Sequence, residues 1–226
     1  MIKYGDKISV AMITLNEEQS IKKVISDINE IDKRIEIVVV DSSTDKTFEI
    51  AKNLGANAIK QFPPSGYSPA MDLALKSCNR DVIITLDCDD TYPVNEIDLI
   101  SKKIFDEKYD VVDCDRLFRK PKSMPYLNYF ANYFFALISS ILFNFRLRDL
   151  HSGMRAYRKD IIRKLPYDKT GVSLPVELIL WPLRLKYRLY IHPIAYRERI
   201  GNSKLEPLKA AWWTVVRILR AKFKKV

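Results

Sequence analysis

Cysteine is scarce in this sequence. Cys78, Cys88 and Cys114 are all it has, an odd number without a CxxC pair. That excludes a disulfide framework and a cysteine zinc site, and fits a reducing, cytosolic setting. The N-terminus, "MIKYGDKISVAMITLNEE", lacks the apolar region and cleavage site of a signal peptide and is strand-like almost at once. Internal repeats and low-complexity tracts are absent, and so is any recognition helix or RNA-binding motif. Histidine is rarer still, and His151 and His192 are read as structural.

What is present suits a globular protein. The 226 residues are 47% hydrophobic and 29% charged, enough for one large domain or a domain with an appendage. The net charge of +10 is uneven: residues 204–226 hold seven Lys or Arg against the single acid Glu206. Such an excess suits nucleic acid, an anionic membrane or a phosphorylated substrate, and composition does not choose among them.

Hydrophobic periodicity alternates between strand and helix. "ISVAMI" (8–13) and "IEIVVV" (35–40) read as strands, the second buried on both faces as in a parallel sheet. Between them Ile21, Val24, Ile25 and Ile28 recur at helical spacing. A second helix is expected from Thr44 to Gly55, a short strand in "ANAIKQ", a helix from about Ala70 to Cys78, and a strand in "DVIITL" (81–86). A helix from Asn95 and a strand in "YDVVDCD" (109–115) continue the alternation. The fold class predicted is α/β, a sheet layered by helices. In such sheets ligands sit beyond the carboxyl ends of the strands, where "TLNEE", "DSSTD" and "DCDD" all fall.

The third of these is the most informative. "VIITLDCDDTYP" (82–93) ends a buried strand in Asp87, Asp89 and Asp90. Carboxylates this close repel, so either a cation sits among them or they form an acidic strand-to-helix turn. Asp87 and Asp89 flank one residue and can reach a common Mg²⁺ or Mn²⁺, ions that prefer oxygen ligands. Asp41 is placed to accept hydrogen bonds from a base or ribose, or else to cap the next helix, which Ser43 or Thr44 could do instead. Asn16 and Glu17 admit the same two readings.

The second half changes character. "LNYFANYFFALISSILFNF" (127–145) nears the ~20 residues of a membrane span, but Asn128, Asn132, Ser139, Ser140 and Asn144 interrupt it. A buried core helix, a helix in the membrane interface and a true span all fit. In "LKAAWWTVVRILRAKFKKV", Trp212, Trp213, Val216, Leu219 and Phe223 lie among Lys209, Arg217, Arg220, Lys222, Lys224 and Lys225. That pattern suits an anionic bilayer surface, or a helix packing its tryptophans on the domain.

"VAMITLNEE", "VVVDSSTDKT" and "LDCDDTYP", in this order and spacing, resemble the nucleotide-binding half of the family 2 glycosyltransferases of GT-A fold. "DLHSGMRAYRKDII" (149–162) and "RIGNSKL" (199–205) resemble the D-x-x-S-G-x-R and R-x-G-x-S-K segments of the polyprenyl- and dolichyl-phosphate sugar synthases among them. The resemblance spans residues 8 to 206. It implies a mixed, mostly parallel Rossmann-like sheet over 1–206, including an amphipathic interface helix at 123–146, followed by a basic amphipathic helix at 207–226.

The activity it implies is inverting transfer of a hexose from a GDP- or UDP-sugar to a polyprenyl (dolichyl) phosphate, assisted by Mg²⁺ or Mn²⁺. Carried over residue by residue, Thr14, Asn16, Glu17, Asp41, Asp87 and Cys88 face the nucleotide-sugar. Asp87 and Asp89 hold the metal, with Asp90 or Thr91 as a third ligand. Arg116, Ser152, Arg155, Arg199 and Lys204 receive the acceptor phosphate, and Asp89, Arg116 and Arg199 are the catalytic group. A lipid phosphate is already an anion and needs cations more than a base. The enzyme is expected on the cytoplasmic side of the cell membrane, held peripherally or through an integral membrane partner.

The sequence departs from the family in three places. Val40 replaces the first of two acids common before S-T-D, Thr91 stands where some members have Gln, and the turn at Gly66 lacks a neighbouring basic residue. Two other functions compete. One is transfer to a hydroxyl acceptor, which needs a carboxylate base such as Asp149 or Glu177. The other is a non-catalytic basic module that binds membrane or nucleic acid.

Overall fold

Side chains alternate across a strand, and here the alternation divides the core in two. Val10, Met12, Val39, Ile84, Val112 and Ala156 face one layer, and Ala11, Val38, Val40, Ile83, Val111 and Tyr157 face the other. The computed structural model describes residues 1–122, 124–200 and 206–225. Its strands are β1 (Ile8–Thr14), β2 (Glu36–Asp41), β3 (Asn57–Lys60), β4 (Val82–Thr85), β5 (Val111–Asp115), β6 (Arg155–Arg158) and β7 (Leu189–Pro193). They form one sheet in the order β3-β2-β1-β4-β6-β5-β7. Every pairing is parallel except those of β6, which runs antiparallel to both β4 and β5. The sheet is therefore mixed and mostly parallel.

The helices are α1 (Ile21–Ile31), α2 (Thr47–Asn53), α3 (Tyr67–Ser77), α4 (Ile97–Phe105), α5 (Tyr126–Phe143), α6 (Lys159–Ile162), α7 (Leu174–Arg184) and α8 (Pro207–Phe223). The apolar sides of α1, α2 and α4 cover the first face, and those of α3, α6, α7 and α8 the second. The chain turns at Gly66, whose φ of 96° is open to glycine without strain. Helix α3 therefore begins at Tyr67, ahead of Ala70, with Pro69 tolerated in its first turn. Helix α2 begins at Thr47 rather than Thr44, because residues 43–45 are engaged in loop bonds described below. Strand β6, with only four residues, carries too little pattern to stand out in the sequence.

Helix α5 buries only Ala136 and Ser139, which rules out the core-helix reading of 127–145. It is long and apolar enough to cross a membrane by length and composition. Its Leu127 is 81% exposed, and Phe130, Phe134, Leu137 and Ile141 are exposed on the same helical spacing. Helix α8 packs on α7 and α5 through Ala210, Thr214, Arg217, Ile218 and Ala221. Leu208, Trp212, Val215, Leu219 and Phe223 stay exposed, Trp212 at 67%. The two tryptophans part company: Trp213 packs over Gly171, where an added methyl would lie 2.3 Å from its ring. Arg217 is no surface charge. It is sealed against Glu177 at 3.1 Å and donates to the carbonyls of Asp168, Thr170 and Val172.

Candidate active site

Parallel pairing puts Thr14 at the end of β1 opposite Asp41 at the end of β2. The Thr14 hydroxyl donates to Asp41 Oδ1 at 2.7 Å, and the Ser43 hydroxyl donates to the same oxygen. Oδ2 accepts from Lys60 Nζ at 2.7 Å and from Ser43 N–H at 3.2 Å. Asp41 is thus buried and bonded on both oxygens. Asn16, in left-handed conformation at φ 53°, accepts the Thr44 N–H at 2.9 Å and donates its own N–H to Ser43 Oγ at 2.7 Å. Glu17 N–H donates to Thr47 Oγ1 at 2.9 Å. The loops after β1 and β2 are therefore tied to each other. Asn16 bonds the second loop rather than capping its own helix.

The acidic loop follows β4. Asp89 is buried, its Oδ1 accepting from Thr91 N–H at 3.1 Å and from the Thr91 hydroxyl at 2.5 Å. Its Oδ2 lies 3.2 Å from Arg199 Nη1, and Arg199 Nη2 lies 3.4 Å from Glu17 Oε1. The chain carrying Arg199 runs along this loop, with Arg197 N–H donating to Thr91 O at 2.9 Å and Ile200 N–H to Asp89 O at 3.0 Å. Asp87 accepts no hydrogen bond from any described residue. Burial, then the neighbouring charges of Asp89 and Glu17, push its carboxyl up to about 6 against the pull of Arg116 and Arg199. Asp90, at φ 61°, turns outward to Lys23 at 3.0 Å and Arg197 at 3.6 Å.

The opposite wall comes from the end of β5 and the approach to β6. Arg116 grips Asp149 with two bonds, Nε to Oδ2 at 2.6 Å and Nη2 to Oδ1 at 2.9 Å. Burial alone would raise the Asp149 carboxyl, but the Arg116 charge and hydrogen bonds hold it below its ordinary range. The Arg116 guanidinium lies over the Tyr196 ring, whose edge meets Tyr92 at 5.2 Å. Tyr92 Oη in turn accepts the Gly153 N–H at 2.6 Å. Gly153 sits against Asp87, so this wall touches the acidic loop directly.

These residues fit a divalent cation. Asp87 and Asp89 supply hard oxygen donors, and the Asp87 carboxylate lacks a partner that would otherwise consume it. Among the described residues no third His, Cys, Asp or Glu joins them. The rest of the coordination shell would come from a diphosphate and water.

The sequence profile of glycosyl transferase family 2 matches residues 9–166, which include all of these elements except the Tyr196–Arg199 segment. The chain is a family 2 glycosyltransferase. A dolichyl-phosphate hexose transferase of Haloferax volcanii is 42% identical over 204 residues, 89% of this chain and 88% of that protein. The low-salt glycan biosynthesis hexosyltransferase Agl6 of the same organism is 31% identical over 91% of this chain, but the match spans only 51% of Agl6. Glucosyl-3-phosphoglycerate synthase of Mycobacterium tuberculosis, solved with Mn²⁺, UDP and glucosyl-3-phosphoglycerate, superposes with a TM-score of 0.78 at 20% identity, covering 97% of this chain and 81% of that one. The fold is GT-A.

In this glycosyltransferase several side chains read from the sequence as site residues are engaged elsewhere in the fold. Arg155 is enclosed by Asp113, Pro175 O and Leu150 O and does not reach the site. The Ser152 hydroxyl donates to Cys114 O at 2.6 Å, so its proton is already engaged by the backbone. Cys88 packs in the hydrophobic core, and Thr14 spends its hydroxyl on Asp41. Asp90 is paired at the surface and Thr91 donates to Asp89, so neither is positioned as a third metal ligand. Lys204 lies outside the described residues. Asp87, Asp89, Arg116, Arg199 and Glu17 do converge. Lys60, Tyr92, Gly153 and Tyr196 were missed, because each matters through a neighbour distant in sequence.

Proposed function

We propose that this glycosyltransferase moves a hexose from a nucleotide-sugar to a polyprenyl (dolichyl) phosphate at a membrane surface, with inversion and with a divalent metal. One observation carries the acceptor class. The two carboxylates read from the sequence as a base for a hydroxyl are both consumed, Asp149 by Arg116 and Glu177 by Arg217 and the Trp181 indole N–H. A hydroxyl must lose a proton to become a good nucleophile, whereas a phosphate monoester is already charged. The name of the Haloferax volcanii relative points to the same acceptor.

Asp87 and Asp89 would hold a Mg²⁺ or Mn²⁺. When bound, the ion neutralises charge that grows on the departing diphosphate. Arg116 and Arg199 offset the repulsion between the two anionic substrates, Arg116 from a rigid anchor and Arg199 from a more exposed one. An acceptor oxygen attacks the anomeric carbon as its bond to the diphosphate breaks, and no proton changes hands. Helices α5 and α8 lie together with exposed apolar rows on both. Flat in the interface of the cytoplasmic leaflet, they would bring the lipid headgroup to the site, with the exposed Lys224 and Lys225 available to anionic lipid.

The test incubates the protein with a short polyprenyl phosphate, Mn²⁺ or Mg²⁺ and a panel of nucleotide-sugars. Lipid-linked sugar is followed by mass spectrometry and its anomeric configuration by NMR. A metal-dependent product lost in Asp89→Ala is expected. Transfer only to hydroxyl acceptors would overturn the reading.

A further inference from the structure

Asp89 has one oxygen left for a cation. Its Oδ1 already accepts the Thr91 N–H at 3.1 Å and the Thr91 hydroxyl at 2.5 Å. Both lone pairs of that oxygen are thereby taken. Oδ2 remains, and it lies 3.2 Å from Arg199 Nη1. The oxygen through which Asp89 would hold a metal is therefore one that a guanidinium of the same chain already holds. A divalent ion and a guanidinium on one carboxylate oxygen repel each other at short range. The two are competitors.

The surroundings let Arg199 give way without the backbone moving. Arg197 N–H donates to Thr91 O at 2.9 Å and Ile200 N–H to Asp89 O at 3.0 Å. These bonds hold the chain on either side of Arg199 and involve no guanidinium. The Arg199 side chain is 34% exposed, against 5% for that of Asp89. Its other terminal nitrogen, Nη2, lies 3.4 Å from Glu17 Oε1. A guanidinium leaving Asp89 thus keeps the Glu17 carboxylate as a pivot, and its Nη1 edge becomes available to an anion.

Resting on the reading of Asp87 and Asp89 as metal ligands, we propose that Arg199 is the built-in counter-cation of that site. A divalent metal displaces it from Asp89 Oδ2, and the displacement frees its guanidinium for a phosphate oxygen. Two consequences follow from the exchange. The metal binds more weakly by itself than the two carboxylates would allow, because it must first break an ion pair. By linkage, an anion that binds the freed Arg199 strengthens metal binding in return.

The test measures Mn²⁺ affinity by electron paramagnetic resonance, with no nucleotide added, for the unmodified protein, Arg199→Gln, Arg197→Gln and Asp89→Asn. A partly exposed ion pair costs little to break, so Arg199→Gln should bind Mn²⁺ roughly 3- to 10-fold more tightly than the unmodified protein. Arg197 lies in the same segment but pairs with Asp90, at 3.6 Å. Arg197→Gln therefore removes a nearby charge without touching Asp89, and should change the affinity by less than about twofold. In protein carrying isotope-labelled arginine, Mg²⁺ should move the Arg199 Nε–H signal, which is identified by its loss in Arg199→Gln. Unchanged or weaker Mn²⁺ binding by Arg199→Gln, an equal gain in Arg197→Gln, or an Arg199 signal unmoved by saturating Mg²⁺ would overturn the proposal. If Asp89→Asn binds Mn²⁺ as well as the unmodified protein does, the metal reading itself fails and takes the proposal with it, so the two failures are told apart. Because the Arg199 side chain is partly exposed, Arg199→Gln should fold, and its thermal melt checks this.

Discussion

Gly153 and Asp87, far apart in sequence, are in contact: a methyl group built on Gly153 would lie 2.3 Å from Asp87 Oδ2 and 2.6 Å from its Cγ. The glycine of the H-S-G segment is therefore required by the acidic loop, not by its own backbone conformation. Gly153→Ala should push the Asp87 carboxylate aside. We expect Mn²⁺ affinity, read by electron paramagnetic resonance, to fall by about tenfold or more while far-ultraviolet circular dichroism stays native. Unchanged affinity would show that Asp87 does not hold the ion.

Arg155 and Arg199 make a contrasting pair. Arg155→Met strands Asp113 in the interior and should cost about 3–5 kcal/mol of unfolding free energy. Denaturant titration would register that loss. Arg199→Gln, on a side chain 34% exposed, should leave the melt within experimental error. Its effect should appear in turnover, roughly 10- to 100-fold in kcat/KM. Reversed outcomes would return Arg155 to the acceptor site.

The tryptophans of α8 separate binding from folding in the same way. Trp212→Glu combined with Leu219→Glu removes exposed apolar surface and should lower partition onto anionic vesicles by about tenfold or more, with stability unchanged. Trp213→Ala leaves a gap over Gly171 and should cost about 3 kcal/mol of stability. Full vesicle binding by the double variant would place the membrane contact elsewhere.

His151 sets an acid limit. Burial, with the nearby charges of Arg116 and Arg155, lowers its pKa from 6.5 to about 4, although Asp149 pulls the other way. The unfolded chain therefore binds a proton between these values that the folded chain refuses. Stability should fall as pH drops from about 6.5 towards 4, by about 1.4 kcal/mol per unit where only the unfolded form is protonated. His151→Gln should flatten that slope in denaturant titrations across the window. An equal slope would assign the loss to other groups.

Much of the site was legible because strands of this kind announce their own ends. "VVVD" and "IITLD" pass from apolar to acidic in one step, and the structure puts those steps at the same end of the sheet, on either side of β1. The arginines were not legible in the same way. Nothing in "SGMRAY" separates a guanidinium aimed at a substrate from one enclosed by Asp113 and two carbonyls, since both satisfy one motif. Arg217 was hidden for the same reason, its partners lying on the loop before α7 and on α7 itself. Helix α5 was ambiguous because its composition suits core, interface and span alike, and only its packing removes the first.

The reversed strand β6 has a wider consequence. After β5 the chain leaves the site at Arg116, and it returns at Asp149 to enter β6 from the same end of the sheet. The Arg116–Asp149 bond closes this excursion at its neck. The excursion carries α5, which packs on α7 and α8 rather than standing free. A connection closed at its neck can change in length or sequence while Arg116 and Asp149 stay where the sheet holds them.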